Sequence, residues 1–328
     1  MLFRSDPLVV REIDVVDKRI SSLRGIEYFY EATVLDAESN ELTALDLSHN
    51  VCLVSVSLPY NQLTSLDISG LDQLELLDVE LNGLTSLDLS TNTALLSLYC
   101  SENALTALDV SACTELQKLY CNENALTELD VSANTALTEL FCDANALTEL
   151  DLSKNTALQM LGVSQCELSA LDVSTLPALQ RLACYDNPLS SLKLGSLEAL
   201  RYLSCYDVPS LNTLDISGCP LVIDAYQNGA QTDYSEYGFV HYEINGHILE
   251  IAPGQTVATE FIPDHVPGDI NGDGSVNNKD VIRLQKYLKD PTTTVNAAAL
   301  DVNGDGKVNN KDLIRLTRWL KYHDVEIH

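Results

Sequence analysis

Oxygen-bearing side chains recur at a fixed spacing near the C-terminus. Asp269, Asn271, Asp273, Asn277 and Asp280 occupy positions 1, 3, 5, 9 and 12 of a twelve-residue stretch, with Gly274 at position 6. Asp301, Asn303, Asp305, Asn309 and Asp312 repeat the pattern 32 residues later, with Gly306 in the glycine position. A hard divalent cation needs six to eight oxygens, and this spacing supplies them. Position 7, Ser275 in the first copy and Lys307 in the second, donates a backbone carbonyl, and the glycine permits the sharp turn. One such run could be an ordinary acidic turn, but two in register, each leading into a helical apolar pattern, point to two calcium ions.

The elements holding these loops are short. Pro263 and Pro267 disfavour a helix entering the first loop, so each unit reads as a loop followed by one helix. The spacing predicts helices over 278–289, stopped by Pro291, and over 310–322. Val281, Leu284 and Leu288, with Leu313, Leu316 and Leu320, form an inward stripe. On the outward side Asn278, Lys279, Ile282, Arg283 and Lys286 match Asn310, Lys311, Ile314, Arg315 and Arg318.

At these residues, about 269–324, the chain resembles a type I dockerin, the calcium-binding module that plugs into cohesin modules of cellulosome scaffolds. The resemblance implies that the matched outward residues contact a scaffoldin cohesin. Their near-identity implies near-twofold symmetry, which would allow binding in either of two orientations related by 180°. The basic outward face suits an acidic cohesin surface. Asp at position 12 replaces the usual Glu, and Asn-Lys replaces the usual small hydroxyl pair at positions 10 and 11, which leaves the cohesin class open. The resemblance further implies an extracellular or cell-surface setting in an anaerobic bacterium, with a leader absent from this chain.

Upstream, the sequence repeats every 21 residues. Leu45, Leu66, Leu87, Leu108, Leu129, Leu150, Leu171 and Leu192 keep that step, and Leu214 comes one residue late. Each step carries a unit such as Leu95, Leu98, Cys100, Asn103 and Leu105. This is the leucine-rich-repeat pattern, in which each coil adds one strand to a parallel sheet. It resembles the internalin-like repeats with a cysteine ladder. A step this short leaves no room for a full helix on the outer side. The expected fold class is mixed: a leucine-rich-repeat solenoid, mostly parallel β with little helix, then a small β cap and an α-helical calcium module. The expected organisation is a solenoid over 1–219, a β cap over 220–262, a linker over 263–268 and the calcium module over 269–328. Residues 1–40 read as an irregular first coil without a polar cap, as expected of a truncated N-terminus.

Columns of the repeat separate structure from chemistry. Cys100, Cys121, Cys142, Cys184 and Cys205 share one position with Val79 and Val163, which marks a small buried hydrophobe. Cys113 and Cys219 share another column with Asn50, Asn92, Asn134 and Asn155, and Cys166 replaces an asparagine of the Asn103 column. Asp46, Asp67, Asp88, Asp109, Asp130, Asp151, Asp172 and Asp215 form a further column. These carboxylates either cap the turn that follows or bind cations along the ladder. The candidate ligand face is the column Tyr99, Tyr120 and Phe141, with Tyr185, Tyr202 and Tyr206 nearby, all expected to be exposed on the concave sheet. Such aromatics either stabilise the sheet or receive a protein or polysaccharide.

The net charge of −29 makes nucleic acid and anionic membrane poor partners, and no apolar run is long enough to insert in a bilayer. Histidines at 49, 241, 247, 265, 323 and 328 form no nucleophile or zinc pattern, and the carboxylates are accounted for by repeat and loop spacing. The leading reading is a non-catalytic cellulosome component. The alternatives are an adhesin or inhibitor using the repeat face, and a calcium-regulated switch, which the missing entering helices disfavour.

Overall fold

The structure is a computed structural model describing residues 10–259 and, in the tail, 270, 278–293, 295, 300, 302, 308–313 and 316–317. The chain divides into two compact units, Met1–Thr259 and Glu260–His328.

The first unit is a parallel-strand solenoid. Each coil contributes one three- or four-residue strand, from Glu12–Asp14 and Val34–Asp36 through Ser97–Tyr99, Lys118–Tyr120 and Glu139–Phe141 to Tyr202–Cys205. The middle residue of each strand points inward, so Leu98, Leu119, Leu140 and Leu161 are buried. Cys100, Cys121 and Cys142 lie between Val79 and Val163 in one fully buried column. All nine cysteines are unpaired, and Cys52 alone is exposed.

Turning the chain at every coil strains it. A non-glycine residue takes a left-handed conformation at Ser39, Tyr60, Leu81, Glu102, Glu123, Ala144, Gln165, Asp186 and Asp207, with φ between 50° and 57°. At seven of these nine turns the next residue is asparagine, and it holds the turn. Asn124 accepts from the Leu105 N–H at 3.0 Å, and its amide donates to the Cys100 carbonyl at 3.0 Å and the Cys121 carbonyl at 3.1 Å. Asn61, Asn82, Asn103, Asn145 and Asn187 make the same links between coils.

A second ladder runs along the other flank, but only in places. Ala44–Asp46 pairs with Ser65–Asp67, Ala170–Asp172 with Ser191–Lys193, and Thr213–Asp215 with Thr256–Ala258. In the intervening coils residues 86–88, 107–109, 128–130 and 149–151 are not strand. The aspartates of this flank cap turns: each Oδ1 accepts a serine N–H two residues on, at 2.8–3.0 Å from Ser48 to Ser217.

The segment after Cys219 differs from the β-only cap expected. It opens with helix α1, Pro220–Asn228, whose Val222 and Ala225 are buried on the last coil. Pro220 fits the first helical position, where its missing N–H costs nothing. Gly229 ends the helix where a side chain would strike the Ala225 and Glu243 carbonyls. The chain then returns to both ladders. His247–Ile251 pairs in parallel with Tyr202–Cys205 as if it were another coil, and Phe239–Ile244 and Ala230–Tyr234 continue the sheet antiparallel.

In the second unit helix α2 spans Asn278–Lys289, as the sequence predicts, and residues 310–313 and 316–317 are helical. Ile270, Leu284, Leu300, Val302 and Leu316 form its core, with Val281, Leu288 and Leu313 packed against it. The pairs Ile270 and Val302, and Leu284 and Leu316, are each 32 residues apart, so the duplication extends to the packing. Leu320 lies outside the described residues, as does the linker expected over 263–268.

Candidate functional site

Two surfaces carry chemistry. In the tail, the residues ending the two loops are described. Asp280 and Asp312 are fully buried, which is costly for a carboxylate unless a cation or several donors meet it. The Asn309 N–H donates to Asp312 Oδ2 at 2.8 Å, closing the last turn of the second loop. Both carboxylates lie in the first turn of a helix. A buried acid at the twelfth position of each loop fits a calcium ligand. The remaining loop residues, Asp269, Asn271, Asp273, Ser275, Asn277, Asp301, Asn303, Asp305 and Lys307, lie outside the described residues.

Of the expected cohesin-facing residues, Lys279, Ile282, Lys286, Asn310 and Lys311 are exposed and Arg283 is half-buried. Ile282 keeps 52% of its surface exposed, which is unusual for an isoleucine on an amphipathic helix. The Asn278 side chain and Ile314, Arg315 and Arg318 lie outside the described residues.

On the repeat unit, strand register places Asp36, Ser57, Asp78, Tyr99, Tyr120, Phe141, Gly162, Ala183 and Ser204 side by side, as the 21-residue step requires. Tyr99 and Tyr120 have ring centroids 5.0 Å apart, and Tyr120 and Phe141 4.8 Å. A second stack runs through Tyr185, Tyr206 and Phe239, at 4.6 Å and 4.8 Å. Tyr120 on Phe141, Tyr185 on Tyr206 and Tyr206 on Phe239 are stacked, and Tyr99 is tilted by 38° to Tyr120. The six expected aromatics are half-buried and not exposed, five because stacked rings cover one another and Tyr202 because Arg181 lies over it.

Tyr120 is held further by its hydroxyl, which donates to Glu139, itself paired with Lys118 at 2.8 Å. Tyr202 belongs to neither stack. Arg181 lies over its ring at 4.3 Å, and its hydroxyl donates to Glu250 at 3.0 Å. Burial, reinforced by the Glu250 charge, pushes this phenol up to about 12. Lys118, Glu139 and Arg181 escaped the sequence reading, although they stand two residues before the aromatic column and so share its face. Phe239 left no such signal, because a strand beyond the last repeat carries it.

The comparisons agree with this division. Residues 267–321 match the dockerin type I domain family. No curated protein matches the chain at a significant level. Among solved structures, the functional domain of InlJ from Listeria monocytogenes, which includes a cysteine ladder, is 28% identical, with a TM-score of 0.37 over 64% of this chain. This chain covers 61% of that structure. The internalin InlF from Listeria monocytogenes is 22% identical, with a TM-score of 0.48 over 62% of this chain and 73% of that one. YopM from Yersinia enterocolitica is 23% identical, with a TM-score of 0.50 over 58% of this chain and 41% of that one. The repeat unit is a leucine-rich-repeat solenoid by its own sequence period and strand order, and residues 267–321 match the type I dockerin domain. No helix among the described residues is long and apolar enough to cross a membrane.

Proposed function

We propose that this protein is a non-catalytic component of a cellulosome, docked through its calcium-loaded tail to a scaffoldin cohesin while the repeat unit presents a protein-binding surface. The carrying observation is the type I dockerin match at residues 267–321. The two buried loop-ending acids, Asp280 and Asp312, and the paired apolar core support it. Calcium supplies the charge that lets clustered carboxylates share one loop. Asp269, Asn271, Asp273, Ser275, Asn277 and Asp280 would hold one ion, and Asp301, Asn303, Asp305, Lys307, Asn309 and Asp312 the other, with Ser275 and Lys307 acting through their carbonyls. Metal binding of this kind is coupled to folding, so calcium acts as a structural latch. An extracellular location follows from the same reading.

Asn278, Lys279, Ile282, Arg283 and Lys286, or their counterparts Asn310, Lys311, Ile314, Arg315 and Arg318, form the cohesin contact. The basic residues meet acidic groups and the isoleucine anchors the centre. On the repeat unit the ring edges of the two stacks favour a protein over a polysaccharide. A pyranose packs on an open aromatic face, and within each stack the facing rings cover one another, leaving uncovered faces at the ends alone. An adhesin or inhibitor role for the repeat face would use this same surface.

Calorimetric titration of a cohesin panel tests the reading, in calcium and then in EDTA. Tight binding to one cohesin class that disappears in EDTA is the expected result. Calcium uptake without binding to any cohesin would leave the tail a stabilising module and defeat the docking assignment.

A further inference from the structure

We propose that a dip between the two ring stacks receives a cationic side chain, arginine or lysine, from a protein partner. The inference rests on the reading of the repeat unit as a protein-binding surface and names what that surface recognises. The dip measures about 370 Å³ and lies where the aromatic column gives way to Gly162 and Ala183. Phe141 and Asp143 border it on one side, Tyr185 and Tyr202 on the other.

Gly162 makes this arrangement. A Cβ there would stand 2.5 Å from both Phe141 Cδ1 and Asp143 Oδ2, so ring and carboxylate close over bare backbone. The Ser164 N–H donates to Asp143 Oδ1 at 2.7 Å and fixes the carboxylate. Among the described residues no Lys, Arg or His forms an ion pair with it. Arg181, which also lines the dip, lies over the Tyr202 ring instead. Burial raises the Asp143 carboxyl above the usual range, opposed by the Ser164 hydrogen bond. A partly desolvated acid without a cation is the group a partner's cation would relieve.

The rings complete the site. Phe141 and Tyr185 are the end members of their stacks, each with one face covered by Tyr120 or Tyr206. Both line the dip, so the ends of the two stacks meet there. A carboxylate beside aromatic faces is a setting for a guanidinium or ammonium group, which gains cation–π attraction and a charge-assisted hydrogen bond together. The chain's net charge of −29 draws cationic partners toward it. A neutral sugar would leave the carboxylate uncompensated.

The test titrates the full calcium-loaded chain with acetyl-Gly-Gly-Arg-Gly-Gly-amide, its citrulline counterpart and cellohexaose, read by NMR and calorimetry. The arginine peptide should bind with a Kd on the order of millimolar, and the neutral citrulline peptide roughly tenfold more weakly. Asp143→Asn should weaken the arginine peptide by roughly tenfold, and Gly162→Ala, which displaces Phe141 and Asp143, should do likewise. Phe141→Leu, which keeps the bulk and removes the ring face, covers the case in which either variant folds poorly. Equal affinity for arginine and citrulline peptides, or unchanged binding in Asp143→Asn, would overturn the cationic assignment while leaving a protein surface. Cellohexaose binding with no peptide binding would overturn both. Cohesin binding, read on the same samples, reports on the docking tail separately.

Discussion

At the residue scale two asparagine columns look alike in sequence and differ in bonding. Asn124 uses both ends of its amide between coils. Asn134 donates to the Val110 and Cys113 carbonyls, while its own buried carbonyl has no hydrogen-bond partner. The second column already accepts Leu71, Cys113 and Leu176. Asn124→Ala should therefore cost about 3 kcal/mol, and Asn134→Leu less than about 1 kcal/mol, in urea unfolding. Similar losses for both would show that the unmet carbonyl carries no penalty. The thiols divide in the same manner. Burial pushes Cys184 and Cys219 up to about 12, so they stay protonated and unreactive. Of the nine cysteines, the exposed Cys52 alone should react rapidly with a disulfide reagent in the native protein. Fast reaction of several thiols would contradict a closed core.

At the element scale each coil is a balance between turn strain and the asparagine that fixes it. Ala144 holds φ at 53°, where a Cβ is unfavourable. Ala144→Gly should raise stability by about 0.5 kcal/mol, the relieved strain slightly exceeding the added chain entropy. A drop in urea midpoint would show that entropy wins. The strand face adds a pH dependence. Burial, with Glu80, Glu38 and Asp36 adding repulsion, pushes the Asp78 carboxyl up to about 6. Because the folded state then holds this proton more tightly than the unfolded chain, stability at this site falls as pH rises from the ordinary carboxylate range through about 6. Asp46 and Asp172, held low by Ser48 and Ser174, act oppositely and lose their contribution only in acid. Asp78→Asn should raise the Tm at pH 7.5 by a few degrees and flatten the decline between pH 5 and 7. A parallel decline in the variant would place the titration elsewhere.

At the scale of the whole molecule the two units have separate cores and separate supports. Among its described residues the solenoid has no disulfide and no cluster of His, Cys, Asp or Glu placed to hold a metal, and it rests on a continuous apolar core. The tail has a small core and two buried acids. EDTA should therefore melt helix α2 and leave the β signal of the repeats, with its Tm within about 2 °C of the calcium value. The measurement is circular dichroism with and without the chelator. Retained α2 helicity in EDTA would remove calcium from the folding of the tail.

Much of this was legible in the residues. A strict 21-residue leucine step can be satisfied only if every coil repeats the same inward positions, so strand register and the buried cysteine column followed from periodicity, while the bonds of the asparagine column between coils came from the structure. The duplicated loop likewise located helix α2 to its first and last residue. Periodicity is silent wherever it ends. Helix α1 begins one residue after Cys219, with β-branched residues and no repeat to mark it, and its burial decided its form. It is silent, too, about direction beyond the backbone. Whether aromatic rings one strand apart stand exposed or cover one another depends on their rotation above the sheet, set by neighbours such as Glu139, Arg181 and Phe239. The dip at Gly162 exists because two side chains from an adjacent coil lean across it. Sequence spacing fixes which residues are neighbours, and only the packed structure decides which faces remain for a partner.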